Sequence, residues 1–259
     1  ASERAVRASG AVPATIGVDR GRVVVGLDTP LLTRFDDAGP DARKLGPRDI
    51  AACCVQEALG ATTVGGTLAI CGPAGIRVMA TGGLGGVHRG FATRPDVSAD
   101  LGEFARSPVI VVCSGVKSLL DVPATCELLE TLGIPVLGYR TDELPLFYAA
   151  RGGPPVSARV ESAAEAAAIA LAHWSLGRTT AVVLARPPDE SLDDAEPLIA
   201  QALALAEQQG VRGQGVTPFV LAHLHRESGG RTLRANRELV AGNAALAGEV
   251  AVALAAQSR

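Results

Sequence analysis

Val109-Ile-Val-Val-Cys113 runs into Ser114-Gly115-Val116-Lys117. Five consecutive apolar residues, four of them β-branched, read as a short buried strand, and the Ser-Gly pair ends it. The same alternation continues outward. Residues 117–132 read as a helix that Gly133 stops, and Pro135-Val-Leu-Gly-Tyr139 reads as the next strand. Residues 161–176 form an Ala-rich helix and 180–184 another strand. Upstream, 75–80 is a short strand that enters Thr81-Gly-Gly-Leu-Gly-Gly-Val-His-Arg-Gly90. Residues 47–59 read as a helix with Pro47 in its first turn, and 14–27 as a hairpin around Asp19-Arg-Gly-Arg22. Helices over 193–209, 217–227 and 233–256 finish the chain. Strands alternating with helices predict an α/β fold: layered α/β/α, a central mixed sheet and a helix-rich C-terminal third. One domain spanning residues 1–259 is expected.

Composition narrows the function. Hydrophobic residues make up 47% and charged residues 20%, as in an enzyme with a large core. Aromatic residues are 3% and the net charge is -3, which disfavours nucleic-acid binding. No apolar run reaches about 18 residues, so no membrane span is expected. Ala1-Ser-Glu-Arg4 carries no signal-peptide pattern. Cys53, Cys54, Cys71, Cys113 and Cys126 have neither zinc-site spacing nor an even count, and read as free thiols of a cytoplasmic protein.

Lys44 and Lys117 are the two lysines among 24 basic residues. Arginine supplies charge but cannot serve as an amine nucleophile, whereas lysine can. Lys117 follows a strand end, where open α/β sheets place ligands. A helix N-terminus there would lower its basicity and favour Schiff-base chemistry; a solvated first-turn residue is the plain alternative. The glycine-rich segment could cradle a phosphate or simply turn the chain, with His88 and Arg89 adding a titratable group and an anion binder. Ser98 reads as a helix cap with Asp100 in the first turn. Asp96 and Asp100 could otherwise build a hard-cation site for Mg²⁺ or Mn²⁺.

Together these segments resemble the pseudouridine-5′-phosphate glycosidase family, which includes the indigoidine-cluster homologues. The matching strings are Gly10-Ala-Val-Pro-Ala-Thr-Ile16, Gly60-Ala-Thr-Thr-Val64, Ala80–Gly90, Asp96-Val-Ser-Ala-Asp100, Val112–Asp121 and Thr217-Pro-Phe219. The resemblance implies an enzyme that breaks or forms the C–C bond between C1′ of ribose 5-phosphate and uracil. It also implies a divalent metal, usually Mn²⁺, and a homotrimer. It makes Lys117 the imine-forming nucleophile, Lys44 a substrate-contacting lysine and Asp96 the metal ligand. Val64, Ser98, Ala99, Asp100 and Asn236 become substrate contacts, with His88 beside them. A glutamate general acid is expected from a segment ahead of Ala1. Two stretches depart from the family pattern, Leu68–Ala74 and Ala241-Gly242-Asn243, where the family has an Asn-Asn pair. Kept sugar-phosphate motifs beside altered neighbours suggest an aglycone other than uracil, joined in the synthetic direction. An inactive sugar-phosphate-binding homologue and an unrelated Schiff-base aldolase are the alternatives.

Overall fold

The computed structural model describes residues 1–192 and 195–258. Two sheets organise it. The first contains β1 (Ile16–Asp19), β2 (Arg22–Val25), β3 (Arg43–Leu45) and β4 (Gly60–Thr62), in the order β2-β1-β4-β3. β1 pairs antiparallel with β2 and β4, and β3 runs parallel to β4. The expected hairpin is therefore present, with Val18 opposite Val23 and the turn carried by Arg20 and Gly21, both at positive φ.

The second sheet contains β5 (Val78–Ala80), β6 (Ile110–Cys113), β7 (Val136–Tyr139), β8 (Ala158–Val160) and β9 (Val182–Ala185). Its order is β5-β6-β9-β7-β8 and every pair is parallel. The layered α/β architecture is as expected, but the mixed pairing belongs to the smaller sheet. The helices are α1 (Ser2–Ala8), α2 (Thr29–Ala38), α3 (Ile50–Val55), α4 (Val64–Cys71), α5 (Ala99–Phe104), α6 (Val122–Thr131), α7 (Ala163–Ser175), α8 (Ala195–Gln208), α9 (Val216–Glu227) and α10 (Arg231–Gln257).

Both faces of the parallel sheet are covered, which is why its inner strands β6 and β9 are apolar without alternation. Ile110, Val112, Val182 and Leu184 pack with Ala166, Ala167 and Ala170 of α7 and with Leu246, Val250 and Leu254 of α10. The alternate residues Val109, Val111, Cys113 and Val183 pack with Leu68 of α4, Phe104 of α5, Leu129 of α6, Ile199 of α8 and Val220 of α9. Alanines on α7 let the helix approach the sheet closely. α10 is long and apolar enough to cross a membrane by length and composition, yet Leu239, Ala244, Leu246 and Val250 are buried against the protein.

Two expected helices change, and one helix is new. The helix expected from 117 starts at Val122, because residues 115–120 are drawn into β-bridges with 84–88 and with Leu146. Asp121 caps it, accepting from the Ala124 N–H at 3.1 Å, with Pro123 in the first turn. The 47–59 helix is a 3₁₀ turn, Pro47–Asp49, followed by the short α3. The 193–209 helix is α8; its expected first residue, Asp193, lies outside the described residues. α4 was not expected from its glycines. Gly66 is needed there because a Cβ would meet the Leu45 carbonyl oxygen at 2.3 Å.

Candidate active site

A cleft of about 1530 Å³ opens past the carboxyl ends of β5 and β6 and is shared with β3 and β4. Lys44, Val64, His88, Asp96, Ser98, Ala99, Asp100 and Lys117 all line it. These residues come from five separate stretches of chain. Thr217, Pro218 and Leu221 of α9 close another side, and Leu68, Ala69, Gly72 and Pro73 of α4 and its exit form part of the wall.

Backbone pairing fixes Lys117. Its N–H donates to the Leu84 carbonyl at 3.2 Å, and the Leu84 N–H donates to the Gly115 carbonyl at 2.9 Å. On the other side the Phe147 N–H donates to the Ser114 carbonyl at 2.9 Å, and the Ser118 hydroxyl donates to the Leu146 carbonyl. Gly115 has φ +84°, and a Cβ there would lie 1.7 Å from the Pro145 carbonyl oxygen. Behind this segment the fully buried Asn243 of α10 donates to the Thr81 carbonyl at 2.9 Å and to the Ser114 hydroxyl at 3.0 Å.

Lys117 is half-buried, and burial is the main cause that pushes its amine below the ordinary lysine value. Asp100 pulls it back up and Lys44 pushes it further down. The helix-terminus explanation is corrected: Lys117 precedes α6 by a turn, and desolvation does the work. Lys44 is also lowered, by burial first, with Asp100 opposing. His88 is lowered by burial first; Asp96 opposes this, and Lys117 and Lys44 add to it.

Asp100 is 4% exposed. Its carboxylate accepts the Gly65 N–H at 2.8 Å and the Gly85 N–H at 2.9 Å. Ser98 caps α5, accepting from the Asp100 N–H at 3.2 Å. The 96–98 strip is laced to the glycine-rich segment by His88 N–H to the Asp96 carbonyl and Ser98 N–H to the Gly86 carbonyl.

The glycines of that segment now have a reason. A Cβ on Gly83 would meet Phe147 at 2.5 Å, on Gly85 the Ser98 hydroxyl at 2.3 Å, and on Gly86 the Thr125 hydroxyl at 2.3 Å. They permit close packing, and the Gly85 N–H is already spent on Asp100. Of this stretch only Gly90 has positive φ. Arg89 also departs from expectation: it donates to the Ser118 and Leu120 carbonyls and pairs with Glu196 at 2.8 Å, outside the cleft lining.

Asp96 presents a carboxylate that is 37% exposed, with its Oδ2 4.0 Å from His88 Nδ1. Among the described residues no three His, Cys, Asp or Glu side chains gather as a metal cage. A single exposed carboxylate in an open cleft fits a hard divalent cation that keeps most of its waters, and does not fit a closed metal centre.

Asn236 sits on α10 outside the cleft lining; a Cβ on Gly82 would lie 3.3 Å from its Oδ1. Ala241 and Gly242 are likewise outside that lining, and Gly242 makes room for the Arg186 guanidinium, 2.6 Å from where a Cβ would be. Of the two departing stretches, the 68–74 stretch is the one that reaches the cleft. Sequence reasoning missed Asn243 as a support. The signal was a polar amide inside the otherwise apolar 239–248 stretch of a helix, a pattern that calls for buried hydrogen-bond partners.

Residues 1–253 match the family described as indigoidine synthase A like protein. The pseudouridine-5′-phosphate glycosidase of Herpetosiphon aurantiacus is 50% identical over 256 residues, covering 97% of this chain and 84% of that one. The corresponding protein of Myxococcus xanthus is 44% identical, covering 100% and 86%. The prealnumycin C-glycosynthase AlnA, solved in complex with ribulose 5-phosphate, superposes with a TM-score of 0.91 at 43% identity, over 99% of this chain and 86% of that one. With this match over nearly its whole length, the chain belongs to the indigoidine synthase A-like family.

Proposed function

We propose that this protein is a C-glycosidase or C-glycosynthase that acts on ribose 5-phosphate, breaking or forming the C–C bond between C1′ and an aglycone. One observation carries the reading. Lys117 is an amine of lowered basicity, clamped on both sides by backbone pairing past the end of β6, in a cleft it shares with Lys44, His88 and Asp100. That is what imine chemistry requires: a neutral nucleophile at a fixed position.

In the synthetic direction the Lys117 amine adds to the C1′ aldehyde of the ring-opened sugar. Water leaves and a C=N bond forms. An electron-rich ring carbon of the aglycone then adds to C1′ and loses its proton, and ring closure at C1′ by the sugar hydroxyl releases the lysine. Sugar phosphate and aglycone thus give the C-nucleotide and one water; cleavage is the reverse. His88 is a titratable group of the same cleft able to carry the protons. Lys44 supplies charge toward the phosphate, with Val64, Ser98, Ala99 and Asp100 as sugar-phosphate contacts. Asp96 would hold the cation, Mn²⁺ or Mg²⁺, which would supply charge compensation for the phosphorylated substrate. Asn236 is assigned to the base side by resemblance alone. A homotrimer is the proposed assembly, and sedimentation of the protein at several concentrations checks it.

Borohydride trapping with ribose 5-phosphate is the decisive test. A reduced sugar-phosphate adduct on the Lys117 peptide is expected; an adduct confined to Lys44, or none, would overturn the covalent role.

An apolar wall favours a second, narrower reading. Leu68, Ala69, Pro73, Pro218 and Leu221 line the cleft, a surface suited to an aromatic aglycone larger than uracil. Paired assays decide: formation of a C-ribosyl product from an aromatic acceptor supports synthesis, whereas rapid cleavage of pseudouridine 5′-phosphate with no acceptor use supports the ordinary glycosidase.

A further inference from the structure

Asp100 is a buried carboxylate whose charge the imine steps do not consume. Its two oxygens are taken up by backbone N–H groups from different parts of the cleft. Gly65 belongs to α4, which follows directly on β4, the strand paired with Lys44 on β3. Gly85 belongs to the segment whose Leu84 carbonyl holds the Lys117 N–H. Both partners are glycines for a spatial reason. A Cβ on Gly65 would lie 3.1 Å from Asp100 Oδ1, and one on Gly85 would lie 2.5 Å from Oδ2. Two approaches are thus cleared for one carboxylate, a costly arrangement for a charge that does nothing.

We propose that Asp100 is a positioning residue for the two-lysine site: its carboxylate ties the Lys44 side of the cleft to the Lys117 side and supplies a fixed negative charge that both amines share. Two amines facing one buried anion are best balanced with one proton between them, since a second ammonium would be uncompensated. Lys44 is the more exposed amine and so holds a proton more readily; Lys117 is the more buried and sheds one more readily. The site therefore presents a cation for a phosphate and a neutral amine for a carbonyl at the same pH. The charged and titratable groups facing Lys117 are Asp100 from α5, Lys44 from β3 and His88 from the glycine-rich segment, with Asp96 beside His88.

This inference rests on the imine reading for its purpose, but its test does not. Reductive methylation by formaldehyde and cyanoborohydride, followed residue by residue by mass spectrometry across pH without added divalent cation, reads the protonation of Lys117 whether or not a sugar imine forms. Asp100 favours the Lys117 ammonium and Lys44 disfavours it. Asp100→Asn should therefore move the midpoint of Lys117 labelling down by about one pH unit, and Lys44→Met should move it up by a similar amount. Asn keeps the shape and one acceptor oxygen. If Asp100→Asn does not fold, Lys44→Met alone decides: an upward shift supports the shared charge. Unchanged midpoints in the folded variants would overturn the proposal and leave Asp100 a structural tie. Sugar trapping that fails while the labelling midpoints shift as stated would overturn the imine reading and leave the charge arrangement standing.

Discussion

Lys117→Arg keeps a long basic side chain and discards the amine nucleophile. Turnover should vanish while the fold and sugar-phosphate binding persist; a rate within about tenfold of the parent, ~1.4 kcal/mol of barrier, would count against the covalent role. Stability should respond in the opposite sense. Burial lowers the Lys117 pKa in the folded protein, so between the lowered value and the ordinary one the unfolded chain binds more protons. Stability from this group rises with pH through that window, and below it the native state carries a poorly solvated ammonium. Lys117→Met should raise the melting temperature near pH 7, with the gain disappearing at strongly alkaline pH, as calorimetry at the two pH values can show. Cys113 gives a further check at this scale. Burial pushes its thiol up to about 12, so iodoacetamide should leave it unmodified until the protein unfolds. The sequence exposed both lysines by their rarity. It could not expose why Lys117 is buried, since the segment that carries it is held by Leu84, Phe147 and Asn243, which arrive from distant parts of the chain.

Among the elements, the glycine-rich segment is where sequence left two readings open and packing chose. Its glycines answer to Phe147, Ser98, Asp100 and Thr125, none of them a near neighbour in the chain. Gly86→Ala should cost about 1–3 kcal/mol in urea titration and weaken Lys117 trapping, because the new methyl meets Thr125, whose hydroxyl accepts the Val87 N–H at 3.0 Å. Gly102 in α5 is the contrast. Its Cβ would meet nothing within 4 Å, so Gly102→Ala should stabilise by about 0.4–1 kcal/mol in the same titration. The start of α6 was legible in principle: Asp121-Val-Pro123 is a cap followed by a first-turn proline. Val116, Leu119 and Leu120 ahead of it, three and four residues apart, masked the signal by continuing a helical spacing upstream. Of the four three-residue strands, β5 was read because it leads into the glycine-rich segment; β3, β4 and β8 were not, since so short a segment shows no period.

For the molecule as a whole, alternation along the chain was enough to predict an α/β layering, but the division into two sheets follows from pairings such as Gly17 with Ala61 that no local pattern announces. Leu184 is fully buried in β9 among residues of α7 and α10, and Leu184→Ala should cost about 2–5 kcal/mol by denaturant unfolding. The position of β9 has a temporal consequence. It is the last strand made, yet it lies between β6 and β7. During synthesis those two strands are complete long before the strand that joins them has left the ribosome. Until residue 185 emerges, the backbone edges of Ile110–Cys113 and Val136–Tyr139 face one another across a gap one strand wide. Nascent chains stalled ahead of Val182 should be rapidly cut by protease and should recruit chaperones, whereas chains stalled well beyond α10 should resist. The gap makes this a fold that assembles late, from its middle, rather than strand by strand from its N-terminus.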